Sequence, residues 1–215
     1  MRQPRPVVIV FAKAPRLGAV KTRLARDIGG FEAWRFHRLA LARTLLRLCR
    51  DRRWRVVLAL TPDALAHRCR AAPMALARLG QGRGNLGRRM ARALDRFRPG
   101  PVLLVGGDIP ALEAGHVAQA LARLRAAHVV FGPAADGGYW LVGVRGRRRA
   151  LALFRNVRWS TPGTLSDSLA NVAPGQRLAL AATLRDVDTG ADYACFRDGD
   201  AVIRRRAPRA RGAAA

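Results

Sequence analysis

The patterned part of the chain opens on five consecutive apolar residues, Val7-Val8-Ile9-Val10-Phe11. A β-branched run with no polar alternation predicts a strand buried on both faces. Val56–Leu60 and Val102–Val105 repeat that signature, while Val129–Phe131 and Tyr139–Val144 read as strands on either side of a Gly-rich turn. Helical periodicity fills the intervals. The longest stretch runs from Phe31 to about Arg50, with apolar positions at Trp34, Leu41, Leu45 and Leu48. Leu86–Phe97, Gly115–Arg125 and Thr161–Leu169 follow the same period. Thr22 is placed to cap a short helix reaching Ile28, Asp63 to start another, and Asp188 or Thr189 to open a last one ending at Phe196. Strands alternating with helices predict an α/β fold, a mostly parallel sheet with helices on both faces. No repeat or linker divides the chain, so one domain is expected over residues 1–200, with an Arg/Ala-rich flexible tail over 201–215.

Composition narrows the classes. Half of the 215 residues are apolar, enough for a core and too many for a disordered chain. No apolar stretch reaches the roughly 18 residues of a membrane span, and Val7–Phe11 is too short for the core of a signal peptide. Cys49, Cys69 and Cys195 are far apart and form neither a disulfide framework nor a zinc pattern, so a reducing cytoplasm is expected. The net charge of +26 raises the question of nucleic acid. All 40 basic residues except Lys13 and Lys21 are arginine, and they are spread over nearly every segment rather than gathered into a patch with stacking aromatics. Generic attraction to polyanions follows from that charge; specific nucleic-acid recognition does not. Both lysines fall in one loop, Ala12–Arg23. An ammonium meets a phosphate as a compact point charge where guanidinium offers a planar fork, which makes this loop a candidate for close phosphate contact.

In open α/β sheets ligands bind beyond the carboxyl ends of the strands, and the loops there are unusual in this sequence. The first carries Lys13, Arg16, Lys21 and Arg23 with Gly18 ahead of a helix start, a phosphate-binding arrangement that is not a Walker A motif because Pro15 and Val20 stand where its glycines belong. After the third strand, Gly106-Gly107-Asp108-Ile109-Pro110 leaves a carboxylate facing the cationic loop; Asp108 reads equally as a Mg2+ ligand and as a turn residue. Asp186-Val-Asp188-Thr-Gly-Ala-Asp192 gathers three of only 14 acids. Only one of the first two is expected to share a metal with Asp108; Asp188 is favoured, with Asp186 turned inward or structural and Asp192 a solvated or helix-dipole residue. Asp136-Gly137-Gly138-Tyr139 reads as a hairpin turn or as acceptor contacts, and Ser160-Thr161 as a helix cap or as a hold on an anionic acceptor. Gln81 and Asn85 offer amide edges to a nucleobase. Gly82-Arg-Gly84-Asn85-Leu86-Gly87 also matches the dinucleotide fingerprint G-x-G-x-x-G, a rival reading that is weakened by the poor strand pattern of Ala75–Leu79 and by its place outside the first βα unit. His37, His67, His116 and His128 show no metal or triad spacing and are expected at helix surfaces or strand edges.

Taken in order, Phe11-Ala-Lys-Ala-Pro15 with Gly18-x-Val-Lys-Thr-Arg23, Gly82-x-Gly-Asn-Leu-Gly-x-Arg-Met90, Gly107-Asp-Ile-Pro110, Gly132-Pro-Ala-x-Asp-Gly-Gly-Tyr139, Trp159-Ser-Thr161 and Asp186-Val-Asp-Thr189 resemble the bacterial GT-A-fold transferases of the DUF2064 group. That group is often labelled glycosyltransferases and is similar to MobA-like nucleotidyltransferases and 2-phospholactate guanylyltransferase. The resemblance spans residues 7–196 and implies a GT-A-like, Rossmann-like three-layer sandwich. It also implies a Mg2+ (or Mn2+) dependent transferase that uses a nucleoside triphosphate or nucleotide sugar and a small, anionic acceptor. By it, Ala12, Lys13, Arg16, Gly18, Lys21 and Arg23 cradle the nucleotide phosphates, with Lys21, Arg16 and Asp108 catalytic. Gln81, Gly82, Asn85 and Gly87 approach the base, Asp108 and Asp188 hold the metal, and Asp136, Gly137, Gly138, Tyr139, Ser160 and Thr161 line the acceptor pocket. Gly107 and Trp140 depart slightly from the pattern, and the Asp-x-Asp of glycosyltransferases is absent after the third strand, which leans toward nucleotidyl transfer.

Overall fold

The computed structural model describes residues 5–197 apart from 70, 74, 147 and 148. Seven strands form one sheet in the order β3-β2-β1-β4-β6-β5-β7. They are β1 (Val7–Lys13), β2 (Arg55–Thr61), β3 (Ala77–Gly80), β4 (Val102–Gly106), β5 (Val129–Pro133), β6 (Tyr139–Val144) and β7 (Leu178–Leu180). Every pairing is parallel except those of β6, which runs antiparallel to both β4 and β5. The helices are α1 (Thr22–Ile28), α2 (Gly30–Cys49), α3 (Leu86–Asp95), α4 (Ala114–Ala126) and α5 (Thr164–Ala170). Residues 63–68 and 150–154 add short 3-10 turns, and 190–197 are helical. The expected tail over 201–215 lies outside the described residues, as does part of the arginine run 145–149.

The two-sided burial of the central strands produces three layers. Val8 and Val10 of β1, Leu58 and Leu60 of β2, and Leu103 and Val105 of β4 pack under α2 and α4 through Leu41, Leu45, Leu48, Val117, Ala120 and Leu124. The alternate residues Val7, Ile9, Val57, Ala59, Val102 and Leu104 meet Met90 and Leu94 of α3 and Leu153 and Phe154 on the opposite face. Alternation of Cβ direction turns one continuous apolar run into two cores.

A third, smaller cluster matters most for function. Leu24 of α1, Ala33, Phe36 and Ala40 of α2, and Val187 close on one another, with Tyr193 and Phe196 of the last helix against them. The Gly190 N–H donates to Asp27 Oδ2 at 2.7 Å, fastening that helix to α1. Segments 167 residues apart in sequence are thereby brought side by side at the carboxyl ends of β1 and β4.

The expected strands and helices are present, with three differences, the first being that β7, the short edge strand paired in parallel to Val129–Phe131, is not among the expected elements. Ala77–Gly80, read as too poor for a strand, is the edge strand β3, paired in parallel to Val57–Leu60; an edge position makes weaker demands on side-chain pattern than a central one. Thr22 is not a cap: α1 starts at Thr22 behind Lys21, which takes the N-cap position in the left-handed conformation (φ 47°, ψ 47°) and makes no side-chain capping bond.

Candidate active site

Lys21 occupies a backbone region that non-glycine residues rarely adopt, and such strain persists only where surrounding structure enforces it. The enforcement comes from two carboxylates. Lys21 Nζ lies 2.8 Å from Asp108 Oδ2 and 2.7 Å from Asp188 Oδ1. Its side chain is 5% exposed against 32% and 39% for the two acids. Burial alone would lower the ammonium's pKa, but Asp108 and then Asp188 outweigh it and raise it above the usual lysine value. Burial would likewise raise the Asp108 carboxyl, and the Lys21 charge, its hydrogen bond and His37 turn the balance, holding it below the ordinary range. Asp108 is delivered by Gly107, where an added Cβ would stand 2.8 Å from Ala12 Cβ and 2.9 Å from Leu41 Cδ1, so only glycine lets the β4 loop cross this close. Asp188 is fixed by the helix behind it: Asp192 accepts from the N–H groups of Asp188 and Thr189, and Thr189 Oγ1 accepts from the Asp192 N–H. Asp192, expected to be a solvated or helix-dipole residue, instead makes capping bonds at the start of the last helix.

These three residues form one wall of a cleft of about 330 Å3 that includes Ala12, Lys13, Thr22, Arg23, His37, Thr61, Gln81, Leu86 and Arg89. Ala12, Lys13, Lys21, Arg23, Gln81, Asp108 and Asp188 thus lie together as the motifs imply. Arg16 does not line this cleft; it is exposed and faces a separate hollow with Trp34, Arg38 and Arg68. Gly18 is exposed at φ 75° and shapes the turn only. Gln81 is buried with its amide spent: Nε2 donates to the carbonyls of Ala12 and Ala59, and Oε1 accepts from Arg89. It ties β1 to β2 and offers no edge to a base. Asn85 caps α3 by accepting from the Arg88 N–H, and it too is outside the cleft lining.

The dinucleotide reading regains the strand it lacked and loses its loop. The Gly82 N–H that would meet a pyrophosphate already donates to the Asp63 carboxylate, and Arg92 is bonded to the carbonyls of Gln81 and Arg83. Gly87 serves packing, since a Cβ there would stand 2.7 Å from Phe154 Cβ.

Two site residues escaped the sequence reading. His37 is buried rather than at a surface: its Nε2 lies 3.0 Å from the Lys13 carbonyl, its Nδ1 has no hydrogen-bond partner and sits 4.0 Å from Asp108, and burial lowers its pKa. A lone histidine in a helix carries no spacing signal. Arg89 stood inside the quoted motif without a role, and the general abundance of arginine hid it.

A second pocket, of about 240 Å3, shares Phe11 and Leu86 with the first. It is lined by Asp136, Gly138, Tyr139, Trp140, Trp159, Ser160, Thr161 and Asp186 among others. The turn amides expected to reach an acceptor are engaged within the fold: Gly137 N–H donates to the Ala134 carbonyl and Gly138 N–H to Asp136 Oδ1. Gly137 lies against Pro162, whose carbonyl oxygen would be 2.3 Å from an added Cβ. The Thr161 hydroxyl donates to the Arg158 carbonyl and its N–H to Thr164 Oγ1, while Ser160, at φ 60°, lines the pocket and its hydroxyl makes no hydrogen bond among the described residues. Asp186 opens into this pocket instead of turning inward. Desolvation first, and then the charge of Asp188, pushes its carboxyl up to about 6.

Residues 44–161 match the family described as an uncharacterized protein conserved in bacteria, DUF2064. The chain belongs to this family. Among solved structures, the DUF2064 chain is similar to a provisionally named nucleotide-diphospho-sugar transferase of Desulfovibrio desulfuricans G20, with 26% identity, a TM-score of 0.77, and 94% of this chain and 97% of that one covered. The manganese complex of Rv0371c from Mycobacterium tuberculosis H37Rv aligns at 16% identity and TM-score 0.53, covering 90% and 98%. CMP:2-keto-3-deoxy-manno-octonic acid synthetase complexed with CTP aligns at 13% and 0.57, covering 94% and 99%. The likeness to the Desulfovibrio structure shows a fold of the nucleotidyltransferase and GT-A type, and the other two show a similar fold. No curated protein matches the sequence. Among the described residues no helix is long and apolar enough to cross a membrane.

Proposed function

We propose that this DUF2064 protein is a divalent-metal-dependent transferase that takes a nucleoside triphosphate or nucleotide sugar in the cationic cleft and passes a nucleotidyl or glycosyl group to a small molecule in the adjoining pocket. The observation that carries the reading is the convergence of Asp108 and Asp188, from distant segments, on the single ammonium of Lys21 at the strand ends. The donor set suits Mg2+ or Mn2+. It offers two carboxylates, and no group of three or more His, Cys, Asp or Glu able to hold a metal is found among the described residues. Such ions are commonly held by one or two carboxylates, with phosphate and water completing the shell. The manganese and CTP complexes of structurally similar proteins support it.

A metal held by Asp108 and Asp188 would neutralise the leaving group, pyrophosphate in nucleotidyl transfer and a nucleoside diphosphate in glycosyl transfer. The chain's own part is positioning and charge. Lys13, Arg23 and Arg89 line the cleft where phosphates would lie. Lys21 now supplies the counter-charge that a divalent ion would bring to the two acids, and arriving phosphates give that ammonium another anionic partner. Metal and nucleotide therefore bind together better than either binds alone. His37, kept neutral by burial, holds the Lys13 end of β1 against α2 behind Asp108. A thermal-shift series with nucleoside triphosphates and nucleotide sugars, with and without Mg2+ or Mn2+, tests the reading. The expected result is a metal-dependent shift for at least one nucleotide that inorganic phosphate does not reproduce; equal shifts with phosphate would reject it.

A further inference from the structure

The second pocket is built for a partner of different charge from the first. In a chain with 40 basic and 14 acidic residues, its lining contains Asp136 and Asp186 and, among the described residues, no lysine, arginine or histidine. Its walls are Phe11, Tyr139, Trp140 and Trp159. Neither acid is paired with a cation across the pocket. Asp136 Oδ1 accepts only the N–H of Gly138 in its own turn, and Asp186 has no hydrogen bond among the described residues. The pocket was expected to hold an anionic acceptor on glycine amides and hydroxyls, but those amides and the Thr161 hydroxyl are already engaged.

We infer that the acceptor is an uncharged hydroxyl compound, a sugar or other alcohol with an apolar face; this rests on the transferase reading above. An anion entering here would meet two carboxylates with no compensating donor among the described residues, and like charges brought together in an interface repel. A cation would sit beside a cleft that already concentrates Lys13, Lys21, Arg23 and Arg89. A neutral polyol meets neither penalty. Its hydroxyls donate to Asp136 and Asp186, its C–H face lies on the aromatic rings, and Ser160 lines the same pocket from the loop before α5. The carboxylates therefore set the charge class of the acceptor, and the aromatic walls its shape.

The test uses the full-length protein and a charge-matched trio, methyl glucoside, glucose 6-phosphate and glucosamine, measured by saturation-transfer NMR with Mn2+-free buffer and then with Mg2+ and the nucleotide that gives the largest thermal shift. The expected order places methyl glucoside first, with the phosphate at least about tenfold weaker. Asp186→Asn and Asp136→Asn, both near-isosteric, each narrow that gap, the second because Asn keeps an oxygen for the Gly138 N–H. Glucose 6-phosphate or glucosamine binding as well as methyl glucoside, or none of the three binding, overturns the inference. Nucleotide binding is read separately by the thermal shift in the other cleft, so its failure counts against the transferase reading and not against the charge ranking.

Discussion

The two adjoining cavities divide the chain's charge between them. In the first, the buried Lys21 ammonium is shared by Asp108 and Asp188. In the second, two carboxylates stand among aromatic rings with no cation in the lining among the described residues. Phe11 and Leu86 belong to both. Asp186 and Asp188 flank the buried Val187 and line different cavities, which a regular strand, with residues two apart on one face, would not allow. The contrast shows that a net charge of +26 describes the surface and says little about a site. What decides binding is whether a local charge already has a partner.

That contrast can be broken by removing a charge from each side. Lys21→Met leaves the first cavity with two unneutralised carboxylates; since both acids are about one-third exposed, the loss falls below that of a fully buried pair, about 2–3 kcal/mol in chemical denaturation. The same variant binds Mn2+ alone more tightly than the parent and nucleotide less tightly, because the competing ammonium is gone. Asp186→Asn does the opposite on the second side. It removes a half-buried acid that has no partner, so the protein becomes more stable by about 1 kcal/mol at pH 8, after allowing for solvent screening. A loss of stability there would show that Asp186 has a partner. The smallest effect comes from the ion pair that braces the Trp159–Thr161 loop. The Arg158 guanidinium and backbone N–H hold Asp167 by three hydrogen bonds and lower its carboxyl from 3.8 to about 2. Its contribution is complete above about pH 4 and is lost as the pH falls toward 2. The Tm difference between wild type and Asp167→Asn should therefore be measurable at pH 5, shrink below about pH 4 and vanish only below about pH 2.

The parallel half of the sheet was legible because continuous apolar runs in β1, β2 and β4 leave little choice of structure. β3 was missed because an edge strand needs no such run. The pairing of Asp108 with Asp188 was reachable from composition, since acids are rare enough here for a cluster of three to stand out. The placement of Lys21 between them was not, as it depends on a left-handed backbone at a helix start and on a small core joining α1, α2 and the last helix. Gln81, Gly137, Gly138 and Thr161 show the converse limit. Their types suit ligand contact, but each polar group was already claimed by the fold, and only coordinates reveal a spent hydrogen bond. Arg16 had the right charge in the right loop and faces away.

The central claim is that Asp108 and Asp188 together hold a divalent ion whose binding is coupled to that of a nucleotide. Titration of Mn2+ into the protein, followed by its electron paramagnetic resonance signal with and without the nucleotide selected by thermal shift, tests this most directly. The account predicts weak binding of Mn2+ alone and at least about tenfold tighter binding with nucleotide, with that gain abolished in both Asp108→Asn and Asp188→Asn. Mn2+ affinity that ignores the nucleotide, or that survives both substitutions, would contradict it.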